Sequence, residues 1–201
     1  MAYKFSLELL RNELYEEFFQ DFKQVLVPFF QPEVYGRSIL ENSSFIVSSA
    51  NPDQSLHGNG FVARLSGATA EFIQMMLYMT VGKQPFTVDH EGELCLEFKP
   101  VLPGWLFTEQ ARTISLFRDG CRQHIEFPAH TFSFMFLGCI LVTYHNPVHS
   151  DTFGAASVSP GSCTLEDLEG NILTLSANAL KGIIAEKIRS RKIRSISISL
   201  Q

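Results

Sequence analysis

The sequence predicts an α+β fold, with helices first and an antiparallel β-sandwich after them. Two observations carry that expectation. In two stretches before about residue 80, apolar residues recur at spacings of three and four; after Pro85 they alternate in short runs separated by turn residues. The 201 residues suffice for a sizeable core, and a composition 45% hydrophobic and 18% charged is that of a folded chain rather than a disordered one. Eighteen phenylalanines exceed what a core of this size ordinarily needs, so part of the aromatic surface is expected to meet a partner.

Taken in order, Leu10, Leu14, Phe18, Phe22, Val25 and Leu26 predict one helix from Ser6 to Phe30, which Pro28 ends. The stretch 31–60 has no sustained period and is broken by Pro32, Gly36, Pro52, Gly58 and Gly60, which predicts a long ordered loop of the kind usually kept for function. Phe72, Ile73, Met76, Leu77 and Met79 predict a second helix over 68–80, with Ser66 as its N-cap and Gly82 beyond its end. Strands are expected at 93–98, 113–117, 121–127, 131–137 and 140–145. Asp119-Gly120 and Glu169-Gly170-Asn171 mark hairpins, since those residues accept positive φ. A helix over 177–189 and a strand through Ile196, Ile198 and Leu200 close the chain. The expected division is 1–84, helical, and 85–201, the sandwich. The helical part reads as too thin to cover its own core, leaving Leu10, Leu14, Phe18 and Phe22 as an apolar face that needs a partner.

A net charge of −5 opposes a nucleic-acid partner, whose affinity rests on clustered cations. No run of roughly 20 apolar residues is present to span a bilayer, and the charged N-terminal stretch does not resemble a signal peptide, so the expected location is cytoplasmic, without a membrane partner. Cys95, Cys121, Cys139 and Cys163 lack metal or redox spacing and are expected as reduced, mostly buried thiols.

The sharpest local feature is Gly58-Asn59-Gly60 followed by Arg64-Leu65-Ser66-Gly67-Ala68-Thr69, just before the second helix. A helix N-terminus offers unpaired N–H groups and partial positive charge; with glycines allowing close approach and Ser66 and Thr69 adding hydroxyls, it suits an oxyanion. The same pattern serves equally as an ordinary cap.

Residues 58–82, GNGFVARLSGATAEFIQMMLYMTVG, resemble glycoside hydrolase family 94 phosphorylases, in which a GRG-containing stretch leads into L-T-G-S-A-x-W and a helix, with spacing that agrees without a gap. Gly92 to Leu96 and Pro100-Val101-Leu102-Pro103-Gly104-Trp105 resemble that family's next strand and its P-x-L-P-x-x-W neighbourhood. Ser48 to Asp53, with His57 and Phe61, is most similar to the 1,2-β-oligoglucan phosphorylase branch, related to cellobiose phosphorylase. Departures are Asn59 for the usual arginine, Ala68 for serine, and an aromatic, Phe72, one position late.

The resemblance implies that the helices end an (α/α)6 barrel and that the chain is the C-terminal portion of an inverting enzyme. Such an enzyme cleaves β-glucosides or oligoglucans with inorganic phosphate to glucose 1-phosphate. It implies phosphate contacts at Ser66 and Gly67 and substrate-loop roles for His57, Asn59, Arg64 and Thr69. No cofactor is implied; phosphate is the co-substrate and a β-glucan oligosaccharide the sugar partner. The family's acid is an aspartate upstream, matched by nothing here, so no catalytic residue is expected in this chain, which alone should be inactive and should need the barrel part of the same enzyme. The alternatives are a non-catalytic carbohydrate-binding or assembly module and a metal-dependent β-barrel isomerase.

Other constellations read as structural. Pro147 opposes a helix bringing His145 to His149, and His124 and Glu126 read as a solvated strand face with His130 beyond the break after Pro128, so no metal site is expected. The carboxylates near residues 89–93 and 166–169 read as turn residues, the basic run from Lys187 to Arg194 as a solvated helix end, and Trp105 as core.

Overall fold

In the computed structural model the described residues are 2–63, 67–118, 120–176 and 180–201, without the side chains of Ala63 and Ala68. Helices and antiparallel-rich sheets give an α+β fold. The chain forms two compact units, Met1–Tyr78 and Met79–Gln201. Among the described residues no helix is long and apolar enough to cross a membrane.

The first unit departs from the expected single long helix. Helix α1, Ala2–Arg11, stops at Asn12, and α2, Tyr15–Val25, starts afresh. Between them Glu13 is left-handed, with φ 63°. The Glu13 N–H donates to the Leu10 carbonyl (3.2 Å) and the Leu14 N–H to the Leu9 carbonyl (3.0 Å), which is the paired bonding of a Schellman stop. That stop ordinarily announces itself by glycine, and here the position is glutamate, so the sequence hides it. The reversal folds α2 back on α1, and Leu10, Phe18 and Phe22 become buried at 1%, 1% and 4% exposure. The face expected to lie bare is therefore packed, apart from Leu14. Phe18 meets Phe22 edge to face (5.3 Å) and Phe22 meets Phe29 in a tilted contact (5.1 Å).

The stretch expected as loop contains α3, Pro32–Tyr35, and strands β1, Ser43–Ile46, and β2, Gly60–Ala63, which pair antiparallel with Phe45 opposite Phe61. The second expected helix is α4, Gly67–Thr80. These short strands escaped sequence reading because neither alternates cleanly between apolar and polar residues.

In the second unit, β3 (Phe86–Val88), β4 (Leu94–Leu96) and the short β11 (Leu180–Lys181) form one sheet in the order β11-β4-β3. A five-stranded sheet has the order β10-β9-β12-β8-β7, from β7 (Thr131–Phe136), β8 (Ile140–His145), β9 (Pro160–Asp167), β10 (Ile172–Ser176) and β12 (Ile193–Leu200). Strand β12 runs parallel to β8 and antiparallel to β9. Its alternation puts Ile196, Ile198 and Leu200 in the core with Val142, Tyr144, Cys163 and Leu165, while Ser195, Ser197 and Ser199 face the other way. Phe86 and Phe98 meet Phe136 on that core face, at ring separations of 6.0 and 5.8 Å. Buried Tyr144 donates to the Thr80 carbonyl at 2.6 Å, and burial pushes its hydroxyl well above the ordinary pKa.

Both predicted hairpins form. Strands β5 (Arg112–Arg118) and β6 (Cys121–Phe127) join through Gly120 at φ 77°, with Asp119 outside the described residues, and β9 joins β10 through Gly170 at φ 85°. The expected helix over 177–189 is shorter: α5 is Ile183–Arg189, preceded by β11, and residues 177–179 lie outside the described set. Gly182, at φ 53°, makes the bend from strand to helix.

Candidate functional site

The candidate site is built on the loop between β1 and β2 and on the start of α4, all within the first unit. The loop is held by its own polar side chains. Asn51 Oδ1 accepts from the Asp53 N–H at 2.8 Å, and Asp53 Oδ1 accepts from the Ser55 N–H and hydroxyl at 3.0 and 2.7 Å. Those bonds, the Ser55 hydroxyl first, hold the Asp53 carboxyl below its ordinary pKa. His57 Nε2 lies 2.8 Å from the Asn51 carbonyl, which only accepts, so that nitrogen carries the proton and the ring straps the loop. The Gly58 N–H donates to the Val47 carbonyl (2.8 Å) and the Val47 N–H to the Asn59 carbonyl (3.1 Å), closing the neck. Asn59 Nδ2 reaches the Ser55 carbonyl at 3.5 Å.

Behind the hairpin a polar cluster pins it down. Buried Tyr35 donates its hydroxyl to the Glu41 carbonyl (2.6 Å) and lies 2.7 Å from the Ser43 hydroxyl. Arg37 Nε donates to the Gly60 carbonyl at 2.7 Å. Gly60 lies against the Tyr35 ring, where an added Cβ would sit 2.3 Å from Cε2. A second chain of bonds reaches α4: Val27 N–H to Tyr3 Oη (3.1 Å), Tyr3 hydroxyl to Asn42 Oδ1 (3.4 Å), and Asn42 Nδ2 to Thr69 Oγ1 (3.4 Å). Thr69 accepts there and keeps its own proton to donate. None of Tyr3, Tyr35, Arg37 or Asn42 was singled out from sequence, because each acts through contacts distant along the chain.

Of the residues expected in the site, Gly67 is the first of α4, and Thr69 is half-buried in its first turn. His57 and Asn59 lie in the loop neck, both half-buried. Ser66 and Arg64 lie outside the described residues. Ala70 is exposed and the first turn of α4 carries no acidic side chain, so no carboxylate of that turn repels an anion. A groove of about 250 Å³ runs beside the next turn, lined by Lys4, Leu7, Glu8, Arg11, Glu71 and Gln74 among others. Its charges are mixed, and Arg11 is already engaged with Glu8 (2.5 Å) and Gln74 (2.9 Å).

The remaining constellations rearrange. His145 binds the Ser197 hydroxyl at 2.8 Å and is lowered in pKa by burial, and His124 binds Ser115 at 2.9 Å across the β5–β6 hairpin. His149 contacts His130 rather than His145. Trp105, expected in the core, is 45% exposed. Cys163 is buried, with its thiol pushed up to about 11, but Cys95 and Cys139 are half-buried and Cys121 is exposed, so the cysteines are not mostly buried. Asp89 and Asp167 are turn residues as read: each accepts two backbone N–H bonds, from Glu91 and Glu93 and from Glu169 and Asn171.

Comparison with protein-family models and with curated proteins gives no match for this chain.

Proposed function

We propose that the chain is the C-terminal portion of an inverting glycoside phosphorylase of the glycoside hydrolase family 94 type. In this reading the first unit supplies closing helices of an (α/α)6 barrel and the second a C-terminal β-sandwich. The observation that carries it is the start of α4. A fourteen-residue helix opens at Gly67, with half-buried Thr69 in a first turn free of carboxylates and exposed Ala70 beside it. Such an end favours an oxyanion through its unpaired N–H groups. Surface chemistry supports a missing covering: Ile73 and Leu77, four apart on α4, are 55% and 45% exposed, and Phe45 and Phe61, paired across the β1–β2 hairpin, are 65% and 42% exposed. Apolar surface of this kind belongs under further helices.

The mechanism that follows assigns positioning to this chain and proton transfer to another part of the enzyme. Phosphate, held at Ser66 and Gly67, attacks the anomeric carbon on one face while an upstream carboxylic acid protonates the leaving oxygen on the other. The loop through His57 and Asn59 borders the sugar, with Arg64 and Thr69 beside the anion. The products are glucose 1-phosphate and a shortened β-glucan, and the setting is the cytoplasm. In the complete enzyme Ser66→Ala raises the KM for phosphate with little change in folding; an unchanged KM removes Ser66 from the site. The 201-residue chain alone neither consumes phosphate with oligoglucan nor releases it from glucose 1-phosphate, and measurable turnover would overturn the division of labour.

A further inference from the structure

His130 and His149 stand 19 positions apart in sequence and meet at the end of the β7–β8 ladder. His130 Nδ1 contacts His149 Nε2, with the two rings edge to face at a centroid separation of 4.6 Å. Both residues are left-handed, at φ 63° and 51°, a conformation that non-glycine residues keep only where their surroundings impose it.

The surroundings do impose it. The His130 N–H donates to the Thr108 carbonyl at 2.6 Å, and its carbonyl accepts from the Asn146 N–H at 2.8 Å. The Asn146 carbonyl in turn accepts from the His149 N–H at 3.1 Å. Asn146, locked between the two histidines, is fully buried; its Nδ2 donates to the Ser150 carbonyl at 2.8 Å, and its Oδ1 has no partner among the described residues. On the other side, the Gly104 N–H donates to the Asp151 carboxylate at 2.7 Å, and Gly104 packs so closely that a Cβ there would lie 1.9 Å from the His149 carbonyl oxygen.

That framework also selects a tautomer. His149 Nδ1 lies 3.4 Å from the Gly104 carbonyl, and a carbonyl only accepts, so Nδ1 carries the proton and Nε2 keeps its lone pair. An imidazole oriented by a backbone carbonyl through its other nitrogen is in the form that ligates metal. His130 is exposed and brings Nδ1 to the same point.

We infer that His130 Nδ1 and His149 Nε2 form a two-imidazole site for a divalent transition ion of the Cu2+, Ni2+ or Zn2+ class, with water completing the coordination. Without the ion, a proton on His130 Nδ1 lies between the rings. The ion takes that place and the proton passes to His130 Nε2 on the solvent side, so both rings stay neutral. Two nitrogens at about 2.0 to 2.1 Å from a tetrahedral ion stand about 3.3 Å apart, a spacing that rotation of the exposed His130 ring supplies. Neutral nitrogen donors exclude Mg2+ and Ca2+, which take oxygen. Among the described residues no three His, Cys, Asp or Glu side chains gather at one metal position, so the ion rests on two protein nitrogens and exchanges readily.

The test is a titration of the metal-free 201-residue chain with Cu2+, Ni2+, Zn2+ and Mg2+, read by calorimetry and, for Cu2+, by electron paramagnetic resonance. One readily exchanging equivalent is expected, with Cu2+ strongest, coupling to two nitrogens in the Cu2+ spectrum, and no uptake of Mg2+. His130→Asn and His149→Asn, chosen because asparagine tolerates left-handed backbone, each lower the affinity by about tenfold or more and remove one nitrogen coupling. His124→Ala on the exposed hairpin leaves both unchanged. Circular dichroism confirms that each variant is folded. A wild-type chain that takes up no Cu2+, or asparagine variants that bind as wild type does, would overturn the site.

Discussion

Gly60→Ala tests the idea that the loop before α4 is set by one close approach. Gly60 is not in the left-handed region, so alanine brings no backbone strain there, and the whole effect is collision. The new Cβ would sit 2.3 Å from Tyr35 Cε2 and 2.5 Å from the Ser43 hydroxyl oxygen. Ordinary contact begins at 3.4 Å, so the ring must withdraw by about 1 Å. It has little room, being 1% exposed and tied through its hydroxyl to the Glu41 carbonyl and Ser43. Forcing a methyl into a filled space costs about 1–3 kcal/mol, and losing the Tyr35 bonds costs about 1–2 kcal/mol more. The first unit is therefore destabilised by about 2–5 kcal/mol. Thermal and urea denaturation followed by far-ultraviolet circular dichroism measure this, with Gly138→Ala as the control. Gly138 has open space but φ 77°, so it isolates the cost of left-handed backbone, about 1 kcal/mol. In a Tyr35→Leu background most of the Gly60→Ala penalty should vanish, since the obstructing ring is gone. A penalty below about 0.5 kcal/mol for Gly60→Ala in the wild-type chain refutes the reasoning.

Thiol reactivity should follow exposure: a disulfide reagent modifies Cys121 promptly in the native chain and Cys163, whose burial pushes its thiol to about 11, only on unfolding. Equal rates for the two would refute the placement of Cys163 on the core face of the five-stranded sheet. Asp89 governs an acid response, because the Glu93 N–H first, then the Glu91 N–H and Lys181, hold its carboxyl below the ordinary 3.8. A pKa depressed by folding stabilises fully above the unfolded value and is lost as pH falls through the folded one, so Asp89→Asn loses less Tm than wild type on going from about pH 5 to pH 2.5. Parallel losses in the two proteins would remove Asp89 from that response.

Sequence alone determined the features whose cause is local. Gly120 and Gly170 announce hairpins because their turns need positive φ, and the Ile-Ser alternation of Ile193–Leu200 announces a strand with one buried face. The helix opening at Gly67 was legible from its apolar spacing, and the resemblance that suggests an anion there rests on the same run of residues. What tertiary structure decided is each case where the deciding partner lies far along the chain. The break at Glu13 carries no glycine to advertise it, and burial of Leu10, Phe18 and Phe22 follows only once α2 has turned back on α1. Likewise His130 and His149 belonged to different sequence patterns until the β7–β8 pairing and the buried Asn146 brought their rings together. Backbone periodicity fixes which face a residue takes, whereas its neighbour on that face is chosen by packing and hydrogen bonding over the whole unit, which no short window of sequence contains.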